Sequence, residues 1–500
     1  MTAAVLIAIL VLMLIGARLF VVVGVATMLC FILIAGEGLA PESLVSIINK
    51  MESLTTKNVF LAIPFFLAAG TVMTRGGMAR RLIQVARALT DWMPGGIAIS
   101  AVIACIIFAA ISGSSPVTLV AVGSIMYPAL VESNYPRKAS IGLLTTAGSL
   151  GSLVPPSIAM LIYAISVSGA ASVDPSDLFL AGLIPALMIT TLLCVYAYFI
   201  GRNAQSVHPK FSFSTLWHAV QQGIFALLLP VIVLGGIYSG LFTPTEAGAV
   251  AFIYATVATM FIHRDMTWKQ LGESFSESAT LMGSLILIVV LSFGLNDFLA
   301  KIEAADRLGE WLRSAHLSPM MFLLVVNVAL IFIGALMDSV SATLVFAPLL
   351  APIALEVYGI DPVHFGVVFV VNMEIGYLMP PVATNLFVAA AIFRRPFSEV
   401  ASAVFPTLGI VCASLVVVMF VPTLSKGLLN VAEDKPLYES FPWEGKAHPA
   451  DDAGASEVTD TAEPVPAAPT PGRMMTMEEM MRAAAQKRAA EAAETSPTSP

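Results

Sequence analysis

The sequence predicts an all-α polytopic membrane protein built from two inverted-topology repeats, each holding a re-entrant helical hairpin and a broken helix. Three observations lead there. The 500 residues are 58% hydrophobic and only 12% charged, with a mean hydropathy of +0.88, more apolar surface than a water-soluble chain can hide. Apolar runs of helical-span length recur from Met1 to about Pro422, where an outer-membrane barrel would show weak alternating segments of about 10 residues. Finally, two adjacent prolines in GSLGSLVPPS return in GYLMPPVATN, 225 positions further on.

Taken in order, residues 1–60 read as an N-terminal scaffold helix and an interfacial segment. The opening MTAAVLIAILVLMLIGARLF has no basic leader and no small-residue cleavage site, so a retained helix is expected rather than a signal peptide. Arg18 inside it is expected to snorkel or meet lipid. Residues 61–200 form the first repeat, with hairpin 1 at about 95–133 and a broken helix at about 138–170. Connecting scaffold helices fill 201–275. The second repeat covers 276–425, with hairpin 2 at about 318–358 and its broken helix at about 362–394. The tail, 430–500, carries 13 acidic against 6 basic residues, nearly all of the chain's net charge of -8. Its Pro, Ala and acid-rich stretch reads as disordered, with a possible amphipathic helix at 474–494.

Lys and Arg collect on the cytoplasmic side of inner membranes. TRGGMARRLIQVARAL, ESNYPRK, GRNAQSVHPK, HRDMTWK and FRRPF are therefore placed inside, whereas SVDPSD, YSGLFTPTE and VYGIDP contain no Lys or Arg and are placed outside. The run between Arg87 and Arg137 must then leave the inside and return to it. Its middle, ISGSSP, is small and polar, which favours a hairpin stopping partway, buried in protein or lining a wet cavity. Residues 318–362 repeat the construction around MDSVSAT, but from the outside. KIEAADRLGEWLR, which precedes it, has helical spacing and balanced charge and reads as an interfacial helix.

Laid over each other at the offset of 225, Ser114, Thr118, Leu119 and Val120 fall on Ser339, Thr343, Leu344 and Val345, and Gly151, Leu153, Pro155 and Pro156 fall on Gly376, Leu378, Pro380 and Pro381. Opposite predicted polarity of the two units makes this an inverted repeat. Proline lacks an N–H, clashes with the preceding turn and drives its predecessor out of helical geometry. Two in a row split a helix and free carbonyls on one side and N–H groups on the other. Carbonyl oxygens suit a small hard cation such as Na+, and a positive helix N-terminus suits an anionic group. The hairpin tips can supply further oxygens.

Several residues keep two readings. Asp338 either contacts ion or substrate or caps its turn, an intramembrane carboxylate being costly. Thr384 and Asn385 are expected to line the site, and Glu374 to hydrogen-bond between helices. Thr243, Thr245 and Glu246 in GLFTPTEAGA make a sound helix start after Pro244. Asn296 and Asp297 either break a span or mark its outer end. The scattered cysteines, Cys30, Cys105, Cys194 and Cys412, read as core residues, and the six histidines form no metal cluster. There is no G-x-x-x-x-G-K-[ST] phosphate loop, so no ATP hydrolysis by this chain drives its work.

IPFFLAAGTVMTRGG, AAISGSSPVTLVAVGSIMYPAL, SLGSLVPPS, GLFTPTEAGA and the second MPP together resemble the large membrane (M) subunit of tripartite ATP-independent periplasmic (TRAP) transporters, over residues 1 to about 425. The resemblance implies an elevator-type scaffold and transport domain like that of the ion transporter superfamily. It also implies a small four-helix membrane subunit and a periplasmic substrate-binding protein as partners. The implied activity is import of an organic anion, usually a carboxylate, across the bacterial inner membrane, coupled to Na+ and with no other cofactor. Neither an enzyme activity nor a nucleic-acid partner is expected. Carried over residue by residue, the cations would lie at Ser112, Ser115, Gly148, Gly151 and Pro155, and at Gly334, Asp338, Gly376 and Pro380. The substrate would lie among Ser114, Pro116, Pro156, Ser339, Ser341, Pro381, Thr384 and Asn385. One departure is LIGARLFVVVG, with Arg18 and no proline where a Gly-x-Pro is expected; the tail beyond about Leu437 is another.

Three other functions compete. A stand-alone Na+/dicarboxylate symporter would share the architecture without a binding protein. A membrane-embedded hydrolase would need a His/Cys constellation or a convergent acid pair, and the sequence offers neither. A passive channel is poorly served by hairpins that stop halfway.

Overall fold

The computed structural model describes residues 12, 19–30, 58–168, 173–202, 210–314, 316–380 and 383–438. Arg18, Pro381 and the possible tail helix at 474–494 lie outside the described residues. Those described are helical, with no strand among them. Among the described residues, eight helices are long and apolar enough to cross a membrane.

In chain order the first elements are α1 (Leu19–Leu29), α2 (Ala62–Arg75), α3 (Met78–Thr90) and α4 (Gly96–Ser112). Next come α5 (Ser115–Glu132), α6 (Arg137–Ser149), α7 (Ile158–Val167) and α8 (Pro175–Arg202). The connecting helices α9 (Phe213–Tyr238) and α10 (Pro244–Ile262) follow. Then come α11 (Trp268–Lys301), α12 (Ala304–Ser314), α13 (Pro319–Leu336) and α14 (Ser339–Glu356). The chain closes with α15 (Pro362–Tyr377), α16 (Thr384–Phe393), α17 (Phe397–Phe420) and α18 (Thr423–Ala432).

Local chemistry explains most boundaries. Thr243 opens α10 with a reciprocal capping box: Glu246 Oε2 accepts from Thr243 N at 2.8 Å, and Thr243 Oγ1 accepts from Glu246 N at 3.3 Å. Thr267 and Gln270 repeat the device at α11. GLFTPTEAGA is thus a helix start. KIEAADRLGEWLR forms the short helix α12, which buries Gly309 and Leu312 and leaves Trp311 exposed, as an interfacial helix would. Asn296, within α11, donates to Leu344 O at 2.7 Å and ties that helix to α14.

Polar residues collect at two ends of the bundle, and they sort as the loop charges predict. At one end Asp177 lies near Asp174, Asp361 and Glu433, and Lys426 bonds Asp361 at 2.8 Å. At the other, Arg81 pairs with Asp265 at 2.5 Å and Arg75 with Glu273 and Glu277 at 3.0 and 2.8 Å. There Gly201 lets the end of α8 touch both ends of the α4–α5 pair, since an added Cβ would sit 2.1 Å from Gly95 Cα and 2.8 Å from Tyr135 Oη. The α13–α14 pair has its base at the opposite end, where Phe322 stacks on Tyr358 with ring centroids 4.2 Å apart, three residues before Asp361. The two helical pairs therefore enter the bundle from opposite ends.

Between these ends the core is large and aromatic, with Phe66, Phe108, Tyr163, Phe179, Phe322, Phe365 and Phe369 fully buried. Phe199, Val231, Ile253 and Phe332 are each at least 60% exposed on α8, α9, α10 and α13. Apolar side chains left outward on long helices are what contact with lipid tails requires.

Candidate functional site

Two helices stop short and restart within the bundle. The first, α6, ends at Ser149 and tightens into a 3-10 turn at Leu150–Ser152; the chain then passes through Pro155 and Pro156 before α7 begins at Ile158. Ser157 caps the restart, accepting from Met160 N at 3.2 Å and donating to Ser152 O. α6 is about 20 Å long and α7 about 15 Å, so the break stands well inside both ends. The second, α15, ends at Tyr377, and α16 restarts at Thr384 behind Ala383, whose φ of 33° is left-handed.

The turn between α4 and α5 packs into the first break. Gly113, at φ 58°, reverses the chain, and its carbonyl accepts from Ile158 N at 3.1 Å. Ser115 Oγ donates to Ser149 O at 2.5 Å and lies 2.7 Å from Ser152 Oγ. Ser112 Oγ and Thr118 Oγ1 are 2.9 Å apart. Backbone approach is close enough to demand glycine: a Cβ on Gly151 would fall 2.6 Å from Ser114 O and 2.8 Å from Ser115 N, and one on Gly148 would fall 2.8 Å from Leu119 Cβ. Ser112, Ser114, Ser115, Gly148, Gly151, Pro155 and Pro156 are thus gathered in one place, all buried except the half-buried Ser114. Pro116, also half-buried, follows on the first turn of α5.

The turn between α13 and α14 meets the second break in the same manner. Gly334 and Gly376 touch backbone to backbone; a Cβ on Gly376 would lie 2.6 Å from Gly334 Cα. Ser339 Oγ donates to Tyr377 Oη at 2.5 Å. Asp338 caps α14: its Oδ2 accepts from Val340 N and Ser341 N at 3.0 and 3.1 Å, and its Oδ1 from Ser341 Oγ at 2.5 Å. Gly334, Asp338, Ser339, Ser341 and Gly376 are thereby gathered, with Pro380 half-buried in the break. Asn385 is fully buried on α16, and Thr384 beside it is half-buried. That helix packs on α6 and on the π-turn at Leu119–Gly123 of α5, so it joins the first hairpin rather than the second.

Some polar atoms in this region are left over. Both amide atoms of Asn385 and both carboxyl oxygens of Glu374 are buried with no hydrogen-bond partner among the described residues. Glu374, for which a bond between helices is expected, faces the hydroxyls of Ser115 and Ser149 from the first repeat, and Asn372, half a turn away on α15, donates to Asn327 Oδ1 at 2.5 Å. Sequence reasoning also passed over Ser149, Ser152, Gly113 and Tyr377, each of which fixes a tip to a break. The first three stand within or beside the small polar runs GSLGS and SGS, a usable signal; Tyr377 gave none.

The N-termini of α5 and α16 carry no side-chain cap, unlike those of α7 and α14. Their free N–H groups and the positive helix ends are an arrangement that receives anions. Carbonyls at the ends of α6 and α15, with the hydroxyls nearby, are oxygen donors of the kind hard cations take. A separate open groove of about 620 Å³, lined by Arg87, Trp92, Lys210 and His218 among others, belongs to α3 and α9 and touches neither break.

The chain is similar to known membrane transport proteins. The family described as "Tripartite ATP-independent periplasmic transporter, DctM component" matches residues 6–424. A C4-dicarboxylate TRAP transporter large permease protein DctM from Pseudomonas aeruginosa is 41% identical over 392 residues, covering 78% of this chain and 91% of that one. An ectoine/5-hydroxyectoine TRAP transporter large permease protein from Ruegeria pomeroyi is 30% identical over 437 residues, 87% of this chain and 100% of that one. Among solved structures, the Alcanivorax borkumensis YdaH transporter shares the fold with a TM-score of 0.53 at 15% identity, over 78% of this chain and 90% of that one. By the family match and these relatives, the chain belongs to the DctM family of TRAP transporter large permeases, multi-pass proteins of the inner membrane.

Proposed function

We propose that this permease imports an organic anion, a carboxylate in the first instance, by secondary active transport coupled to Na+. A periplasmic binding protein delivers the anion, and a small four-helix membrane subunit completes the complex. The two hairpins are re-entrant: each enters from one face, stops at a helix break and returns. Ser112, Ser115, Gly148, Gly151 and Pro155 surround one Na+, and Gly334, Asp338, Gly376 and Pro380 a second. The anion lies between, toward Ser114, Pro116, Pro156, Ser339, Ser341, Pro381 and Thr384, with the unpartnered amide of Asn385 as a donor. The hairpin-and-break domain slides between the two membrane faces against a scaffold of the outer helices.

The observation that carries this reading is the meeting of each hairpin tip with a helix break, from opposite ends of the bundle. Backbone carbonyls at both breaks and the uncapped N-termini of α5 and α16 support it, being groups that a cation and an anion would use. Relatives named for a C4-dicarboxylate and for ectoine set the substrate range to test first.

The test is reconstitution in liposomes with the small subunit and the binding protein, using labelled carboxylates and an imposed Na+, K+ or proton gradient. Accumulation is expected with the Na+ gradient and only when the binding protein is present. Equal accumulation without the binding protein would make the chain a stand-alone symporter. Equilibration that ignores every gradient would make it a channel.

A further inference from the structure

The open groove of about 620 Å³ between α3 and α9 has no part in the transport reading. The two helices touch where a Cβ on Gly223 of α9 would fall 2.9 Å from Val85 Cγ2 of α3. They are bridged again by Trp92, just past α3, and Phe211, just before α9, whose rings meet edge to face with centroids 6.1 Å apart. Residues between these contacts line the groove, among them Arg87, Asp91, Lys210, Ser214 and His218. The start of α9 fixes its depth. Ser214, Thr215, His218, Gln221 and Gln222 give way to an apolar run from Gly223 to Tyr238, about 24 Å of helix against a hydrocarbon core about 30 Å thick. The groove therefore stands at headgroup level, at the inner end that Arg81 and Asp265 mark. Trp92, Phe211, Phe213 and Trp217 around it are each at least 46% exposed, as aromatic rings at a membrane interface are.

The donors in the groove are not used up within the protein. Arg87 Nε donates to Asp91 Oδ2 at 2.9 Å, which leaves both terminal guanidinium nitrogens without a partner among the described residues, as Lys210 and His218 are. Asp91 is spent on that bond, and its other oxygen, Oδ1, is buried. With Arg87 and Asp91 cancelling and His218 neutral, Lys210 leaves one positive charge, which a single phosphodiester balances. Guanidinium nitrogens beside an ammonium suit phosphate oxygens, and basic pockets between helices on the cytoplasmic side take anionic headgroups.

We propose that this groove binds the phosphodiester of an anionic phospholipid from the cytoplasmic leaflet, with Lys210 and the outer nitrogens of Arg87 as donors and Trp92 and Phe211 against the glycerol and the upper acyl chains. A soluble phosphate would meet the same donors but gains nothing from the exposed aromatic rim, and that rim favours the lipid. Because α3 runs into the first hairpin and α9 belongs to the connecting helices, the headgroup ties the two together at the inner face. Lipid occupancy does not depend on the transport reading.

The test is native mass spectrometry of the full chain released from detergent micelles, titrated in turn with phosphatidylglycerol, phosphatidylcholine and glycerol 3-phosphate, with thermal unfolding as a second readout. Wild type is expected to retain one phosphatidylglycerol in preference to phosphatidylcholine, to lose that preference as salt is raised, and to unfold at a higher temperature with phosphatidylglycerol alone. K210Q is expected to weaken retention about fivefold, as loss of one basic residue beside an anionic headgroup does. K269Q, which removes a basic residue of the same end outside the groove, is expected to leave retention unchanged. Equal retention of the two lipids by wild type overturns the proposal, and so does equal weakening by K210Q and K269Q or by neither. Stabilisation by glycerol 3-phosphate as strong as by phosphatidylglycerol also overturns it, making the groove a site for a soluble anion. The lipid and phosphate comparisons need no variant, so a poorly folded K210Q does not shelter the idea.

Discussion

At the first break the hairpin tip is held by hydroxyls and backbone: Ser115 reaches Ser149 and Ser152, and Gly113 O accepts from Ile158 N. The second break is closed by a carboxylate cap, a tyrosine and two touching glycines: Asp338 holds the start of α14, Ser339 reaches Tyr377, and Gly334 meets Gly376. One duplicated figure thus yields a neutral latch and a charged one. Backbone geometry, which prolines and glycines impose, is common to the two halves, while the side chains around it differ. Where the halves agree the constraint is on the path of the chain; where they differ, each can answer to a different ligand.

If that division is right, the largest effects belong to the shared geometry. G151A and G376A each drive a Cβ to 2.6 Å from opposing backbone, which cannot rotate away. Overpacking of this kind costs about 1–3 kcal/mol, so each variant is expected to lower uptake about 10- to 100-fold. Gly409, on the exposed face of α17 with open space around it, is the control; G409A is expected to leave uptake unchanged. Equal rates in all three would separate the glycines from function and break the comparison at its base.

The same contrast explains what could be read from the chain alone. Prolines and glycines act locally, so SGSSP, MDSVSAT and the two PP pairs announced their turns and breaks without any knowledge of the fold. Loop charge likewise separated the two ends that Asp361 and Arg81 now mark. Asp338 followed by Ser341 is a local capping pattern and was legible as such. Glu374 was not: what its carboxyl faces depends on residues some 225 and 259 positions earlier, Ser149 and Ser115. Tyr377 was hidden for the same reason, its partner lying on another helix.

A smaller effect tests whether the charge at the second break does more than cap. D338N keeps an acceptor for Val340 N and Ser341 N but removes the charge, whereas D338A removes both. D338A is expected to lower stability by about 0.5–2 kcal/mol, as lost caps do, measured as a shift in thermal unfolding. D338N is expected to unfold near the wild-type temperature while its half-saturating Na+ concentration rises about tenfold, one charged ligand's worth at about 1.4 kcal/mol. Unchanged Na+ dependence in D338N would reduce Asp338 to a cap and make the two latches functionally alike.

The finest distinction lies between the latches themselves. S115A deletes the donor to Ser149 O and the partner of Ser152 Oγ, two contacts at 2.5 and 2.7 Å in a buried place. Y377F deletes one contact, at 2.5 Å, and leaves the Ser339 hydroxyl free to turn. With about 0.5–1.5 kcal/mol for each hydrogen bond and more for a buried acceptor left bare, S115A should destabilise by about twice as much as Y377F. Probing a single cysteine at Ser114 and one at Val340 for labelling rate reads the opening of each tip directly. Faster labelling at 114 in S115A than at 340 in Y377F is expected, because S115A removes both Ser115 contacts of the neutral latch and leaves it the bond from Ile158 N to Gly113 O, while Asp338 still caps the other. The reverse order would mean that carboxylate chemistry, not the serines, governs how readily a tip leaves its break.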